Sequence, residues 1–349
     1  MYKKTEAEID FEEFVEVSAI SMMFTALEWA TTLCELSLES TAAQQLMKST
    51  EKFDLIITEA TFTECLFGFI PKFGSPPVVA LSAFGIPPWL IDLMGTPENP
   101  SYTPNSILPY TDHMTFFQRV HNTLITTILN INYRYSIIPH SEEVARKHFK
   151  TEQPSYVDVV KNFSFLLTNL VFGLDAARPL APNVIPISGM HIKSKPDPLP
   201  EEIRKFLDGA KDGFIFFSLG TNVKSKALPK EKLRALLDAF AELPQRILWK
   251  FESDDLPGLP PNVMIGKWLP QSDILAHPNI RAFISHCGKV STTESIYRGV
   301  PVVGVPFFAD QWLNLQQMLA KGVAVNLDFV TLTKESTLTS IREILNNER

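Results

Sequence analysis

The sequence predicts an α/β protein of two domains, and three observations carry that expectation. Residues 268–311 read as one complete βαβ unit. The chain has 349 residues, 45% of them hydrophobic, enough to bury two sizeable cores. The stretch from Lys193 to Asp212 sets Pro196, Pro198 and Pro200 among charges and reads as a linker. It places a boundary near residue 195, giving domains of 1–194 and 195–349.

Within the βαβ unit, Arg281-Ala282-Phe283-Ile284-Ser285 is short and apolar enough for a buried parallel strand. The pattern breaks at His286-Cys287-Gly288-Lys289. Ser291-Thr292-Thr293-Glu294 then carries the Ser/Thr-x-x-Glu signature of a helix start, with Glu294 closing a capping box on Ser291. Gly299 stops the helix, and residues 301–306 (PVVGVP) form the next buried strand. A glycine-containing strand-to-helix turn aims free N–H groups and the positive end of a helix dipole at one point, which suits a phosphate. His286 and the Ser291 and Thr292 hydroxyls add donors there. Trp268 offers a flat face for a base, and Gln271 can hydrogen-bond a ribose or base edge. Glu294 can accept from two vicinal hydroxyls. Asp310 and Gln311 follow the second strand at its carboxyl end, where open α/β sheets bind ligands.

Other elements follow along the chain. Val15 to Leu33 is predicted as an amphipathic core helix, because Glu16 and Glu28 interrupt its apolar run. Gly74 to Ile91 is uncharged but broken by Pro76, Pro77, Pro87 and Pro88, so it is not a span. Residues 97–110 read as a long loop, and residues 214–221 as a strand running into a glycine turn.

Composition excludes several classes. A net charge of −7 with no basic run disfavours nucleic acid. Cys34, Cys65 and Cys287 are widely spaced and suggest neither a disulfide framework nor a metal site. The metal pattern HExxH, CxxC pairs and the dinucleotide fingerprint GxGxxG do not occur, so no metal or cofactor is expected. Cys287 reads as a small buried filler and His277 as a loop or helix-end residue.

The segment WLPQSDILAHP, the core FISHCGKVSTTE, the following GVP and the closing DQ together resemble the signature of the UDP-glycosyltransferases, animal branch. The family transfers a sugar from a UDP-sugar to small lipophilic acceptors with inversion. The resemblance implies two Rossmann-like domains facing each other across a cleft, the GT-B arrangement, with the first domain incomplete. It implies that Trp268 stacks on uracil and Gln271 contacts the nucleoside. His286, Gly288 and Ser291 would hold the diphosphate, Glu294 the ribose, and Asp310 with Gln311 the sugar. Gly220 and Thr221, in a segment similar to the family's F-S-L-G-S/T, approach the diphosphate. Residues 247–251 resemble the strand ending near uracil, and residues 164–169 and 178–183 the end of the acceptor domain. Val290 and Lys289 depart from common family residues; the Lys289 charge either helps at the phosphates or is solvated. UDP-sugar is a co-substrate, so no separate cofactor follows.

Residues 53–60 (FDLIITEA) resemble the strand that ends in the acid partner of the catalytic histidine, with Glu59 where many relatives have Asp. The histidines at 113, 121, 140, 148, 191, 277 and 286 all follow that strand, so the family base is expected upstream of Met1. The chain thus resembles a member cut at both ends, without the signal peptide and membrane span that put the full-length family in the endoplasmic reticulum membrane, facing the lumen. Transfer by the chain as given is expected to be poor. A non-catalytic UDP-sugar-binding module pairing with a complete homologue, as a homo- or hetero-oligomer, is the alternative; a UDP-sugar epimerase of the same architecture is disfavoured by the W-x-P-Q start and D-Q ending. Asn162-Phe163-Ser164 is a glycosylation sequon.

Overall fold

A computed structural model describes residues 32–149 and 153–346. The helix expected over Val15 to Leu33 lies almost wholly outside them. The chain divides after Ser188 into two units. Residues 189–198 belong with the second: Asp197 N–H donates to Asp273 Oδ1 (2.8 Å), and Arg298 Nη2 donates to the Lys193 carbonyl (2.7 Å). The expected linker also contains a helix, Glu201–Asp208.

Among the described residues the first unit has four parallel strands, β1 (Ile56–Glu59), β2 (Val78–Ser82), β3 (Phe165–Thr168) and β4 (Val184–Pro186), in the order β1-β2-β3-β4. Between β2 and β3 run helices α1 (Phe116–Asn132) and α2 (Ile138–Phe149), joined by a π-helical turn at Tyr133–Ile137. Thr115 and Gln118 cap α1 reciprocally, satisfying two of its free N–H groups. Residues 97–110 form the expected loop. One correction concerns the cysteines: Cys34 and Cys65 form a disulfide, with Cα atoms 5.8 Å apart. They are 31 residues apart in sequence, and only the packing of residues 32–39 on the turn at Glu64–Gly68 brings them together.

Among the described residues the second unit has six parallel strands: β5 (Phe214–Ser218), β6 (Arg246–Lys250), β7 (Val263–Gly266), β8 (Ile280–Ser285), β9 (Val302–Gly304) and β10 (Ala324–Asn326). Their order is β10-β9-β8-β5-β6-β7. β5 is buried along its whole length, as an interior parallel strand requires. Helix α3 (Lys230–Phe240) sends Leu236, Leu237 and Phe240 into the core around Trp249, whose indole N–H is satisfied by Ser225 Oγ at 3.0 Å. The remaining helices are the short α4 (Gln271–Ile274), α5 (Lys289–Arg298), α6 (Gln311–Ala320) and α7 (Lys334–Asn346).

Candidate donor site

Strand order locates the site. Successive strands leave β5 in one direction through β6 and β7, then in the other through β8, β9 and β10. The reversal lies between β5 and β8, and a parallel sheet opens a crevice at the carboxyl ends of such a pair. The turns that leave those ends carry Gly220-Thr221 and His286-Cys287-Gly288.

The His286 ring lies between the two glycines. A Cβ added to Gly288 would come within 2.5 Å of His286 Nε2, and one on Gly220 within 2.6 Å of Cε1. Gly220 also has φ +79°, the left-handed region that favours glycine. Burial lowers the His286 pKa to about 4, assisted by the Lys250 charge, while a hydrogen bond to the Ser218 carbonyl opposes the shift. The ring is therefore neutral near pH 7. Its Nδ1 is buried without a hydrogen-bond partner among the described residues. Cys287 holds φ +63°, a strained turn for a residue with a side chain. Its thiol is fully buried and its pKa raised by that burial, which suits a filler and not a nucleophile.

α5 begins at Lys289 with Gly288 as its N-cap, and this corrects the expected capping box. Ser291 sits in the first turn, and the Glu294 carboxylate does not reach back to it. Instead the Gln271 amide donates to Glu294 Oε2 (2.6 Å) and to Ser291 Oγ (3.0 Å). His191 Nε2 lies 3.2 Å from Glu294 Oε1. Gln271, Ser291 and Glu294, expected separately to touch a nucleotide, thus form one polar cluster with Ser291 and Glu294 buried. His191 is an addition that only the fold reveals. Beside this cluster in the chain, Trp268 is 78% exposed, so the ring is not a core residue.

At the end of β9, Asp310 and Gln311 are both buried. Ala309 before them has φ +55°. Gln311 Oε1 accepts from the Phe307 and Phe308 N–H groups (2.8 and 3.2 Å), which fixes the turn. Asp310 Oδ2 accepts from Asn314 Nδ2 (2.8 Å), and Lys289 Nζ donates to Asn314 Oδ1 (3.4 Å). Lys289 is buried, so of its two expected readings the solvated one fails. His277 sits in the turn after α4, its Nε2 3.2 Å from Asp208 Oδ1.

In the first unit, Glu59 ends β1. Its Oε1 accepts from the Ala60 and Thr61 N–H groups (3.1 and 3.2 Å). Burial raises its pKa against these hydrogen bonds. Among the described residues no cluster of His, Cys, Asp or Glu could hold a metal, and no helix is long and apolar enough to cross a membrane.

A family profile described as UDP-glucoronosyl and UDP-glucosyl transferase matches residues 2–349. The chain is 40% identical over 308 residues to UDP-glycosyltransferase UGT5 of Dactylopius coccus, covering 88% of this chain and 58% of that protein. It is 34% identical over 325 residues to UDP-glucuronosyltransferase 3A1 of Mus musculus, covering 91% of this chain and 60% of the other. The chain thus spans about three-fifths of the length of these relatives. Its fold is similar to that of UDP-glucose: anthocyanidin 3-O-glucosyltransferase, solved in complex with UDP, a GT-B glycosyltransferase. That likeness has a TM-score of 0.56 at 17% identity, over 91% of this chain and 72% of the other.

Proposed function

The chain belongs to the UDP-glucoronosyl and UDP-glucosyl transferase family, and on that premise we propose that it serves transfer of a hexose from a UDP-sugar to a hydroxyl of a small lipophilic acceptor, with inversion. The observation that carries this reading is the exposed Trp268 ring next to the Gln271–Glu294–Ser291 cluster, beside the strand-order reversal of a parallel sheet. Uracil stacks on Trp268. The ribose hydroxyls reach the Glu294 carboxylate by joining or replacing its contacts with Gln271 and His191. The diphosphate lies against Gly220, Thr221, Gly288, Ser291 and the amino end of α5, beside the neutral His286 ring packed between the two glycines.

The hexose is held by Asp310 and by the Gln311 amide N–H groups, since Gln311 Oε1 already serves the backbone. Asn314, held in turn by Lys289, orients the Asp310 carboxylate. In the reaction the acceptor oxygen forms its bond to the anomeric carbon as the bond to UDP breaks, and the acceptor proton passes to a base. Glu59 orients an imidazole base at the end of β1, as its firmly held carboxylate allows. Charge on the departing UDP is stabilised by the donors around His286. The Cys34–Cys65 disulfide supports an oxidising, lumenal compartment of the endoplasmic reticulum. Because every donor residue named lies in the second unit, a UDP-sugar-binding module without turnover is the second reading, and a transfer assay with phenol and steroid acceptors separates the two.

Calorimetry with UDP tests the site. Trp268→Ala is expected to weaken UDP by about 1–3 kcal/mol, as loss of a stacking platform does. Asp310→Ala is expected to weaken a UDP-hexose more than UDP. Absence of UDP binding by the folded chain, or unchanged affinity in Trp268→Ala, would overturn the assignment.

A further inference from the structure

Two donors hold the buried Glu294 carboxylate. The Gln271 amide donates to Oε2 at 2.6 Å and gives its other hydrogen to Ser291 Oγ at 3.0 Å. His191 Nε2 lies 3.2 Å from Oε1. An ionised carboxylate only accepts, so the hydrogen of that contact sits on the imidazole. Such a group offers about four acceptor positions, roughly two on each oxygen. Among the described residues each oxygen is taken once, which leaves a position on each. That pattern matches a vicinal diol, whose two hydroxyls need two neighbouring acceptors. Without a donor on Oε1 the carboxylate is free to turn, because the torsion that carries it is soft.

The chain around His191 is fastened so that the ring stays in place. Residues 189–192 form a turn closed by the Ile192 N–H on the Gly189 carbonyl (2.9 Å). The turn rests on α5: a Cβ on Gly189 would stand 3.8 Å from the Tyr297 ring and 3.9 Å from the Thr293 methyl. Ile192 is buried, and the Lys193 carbonyl accepts from Arg298 Nη2 (2.7 Å). The backbone is therefore held to α5 on both sides of His191, from the helix that carries Glu294. The imidazole itself is 41% exposed, so it does not serve as core packing. We infer that His191 is a positioning residue for donor recognition: it holds Glu294 Oε1 so that the carboxylate reads both hydroxyls of a ribose and discriminates against a deoxyribose. The inference rests on the reading of Glu294 as the ribose acceptor.

The test is calorimetry of the full 349-residue chain with UDP and with 2′-deoxy-UDP. The parent chain is expected to prefer UDP roughly tenfold or more, the scale of a hydrogen bond to a charged group. His191→Ala should weaken UDP about tenfold and 2′-deoxy-UDP by less than about threefold, so that the preference collapses. His191→Gln, which sets an amide N–H near the place of the imidazole Nε2, should restore most of it. Trp268→Ala should weaken both ligands alike and keep the preference, since stacking does not involve the 2′-hydroxyl. Circular dichroism verifies the fold of each variant. Equal losses for the two ligands in His191→Ala would make the residue a structural part of the turn and overturn the inference. So would a glutamine variant no better than alanine, or a parent chain that binds both ligands alike. If UDP binds and responds to Trp268→Ala, those results defeat the role of His191 alone; absence of UDP binding defeats the donor site and this inference together.

Discussion

Both units are built on parallel sheets, and their strand orders differ in a way that decides where chemistry can sit. Among the described residues the first unit's strands follow sequence order, so right-handed crossovers place the helices between them on one face. Burial agrees: Val78, Ala80, Leu166 and Val184 are buried on one face, while Ile57, Phe165 and Ile185 on the other are 62%, 43% and 38% exposed. The second unit reverses direction between β5 and β8, so connections run to both sides of the sheet. A sheet with a reversal has a crevice for a ligand at the carboxyl ends of the two diverging strands. The donor residues gather in the second unit, and the first contributes Glu59 alone among the expected site residues.

The ionisable groups at the core of each unit also diverge. Near Glu59, Glu64 is buried against Tyr133, whose hydroxyl faces it without a well-aligned hydrogen bond. Burial raises its pKa to about 7. In the second unit burial lowers His286 to about 4. Each group is driven towards its neutral form, from opposite charges, as low-dielectric surroundings demand.

The largest expected effect falls on the first unit alone. Replacing Cys34 and Cys65 by Ser opens a loop of 31 residues and should cost about 3–4 kcal/mol by chain entropy. Denaturant unfolding measures the loss, and UDP affinity should not change. A fall in both would show the units to be less separate than their sheets imply.

Next comes pH. His286 binds its proton more weakly folded than unfolded, so its contribution is complete above about 6.5 and is lost as pH falls towards 4. Glu64 binds its proton more tightly folded, so its contribution is complete below about 4.5 and is lost as pH rises through 7. Each swing is on the order of 3 kcal/mol. His286→Gln should flatten the acid limb of the stability profile and Glu64→Gln the neutral limb. Identical responses would erase the contrast between the units.

Gly288→Ala should displace the His286 ring, given the 2.5 Å approach of the added Cβ. Overpacking of that kind costs about 1–3 kcal/mol, and UDP affinity should fall with it. Retained affinity would detach the ring from the site. The smallest effect is expected at the bare sheet face. Ile57→Lys, at an exposed edge-strand position, should change stability by less than about 0.5 kcal/mol while slowing aggregation, as light scattering would show. A large loss of stability would mean that the face is covered.

Much of the second unit was legible in the chain. The runs at 214–218, 281–285 and 302–304 are dense apolar strands ended by glycine turns, and local pattern suffices to predict those. Trp268, Gln271, Glu294, Asp310 and the glycines stand out in the sequence by their motif, and the fold joins Gln271, Ser291 and Glu294 in one hydrogen-bonded cluster. Local sequence also determined the Thr115–Gln118 cap and the breaking of 74–91 by its prolines. It misread Ser291-x-x-Glu294, because the preference for a capping box is worth about 1 kcal/mol and a buried carboxylate takes whichever stronger donors the fold supplies, here Gln271 and His191. Tertiary structure alone decided the Cys34–Cys65 pairing, the approach of Lys289 to Asn314 and Lys250 to His286, and the strand order. Those depend on contacts between residues far apart in the chain, which no periodicity records, and they arise only when crossovers bring distant strand ends together.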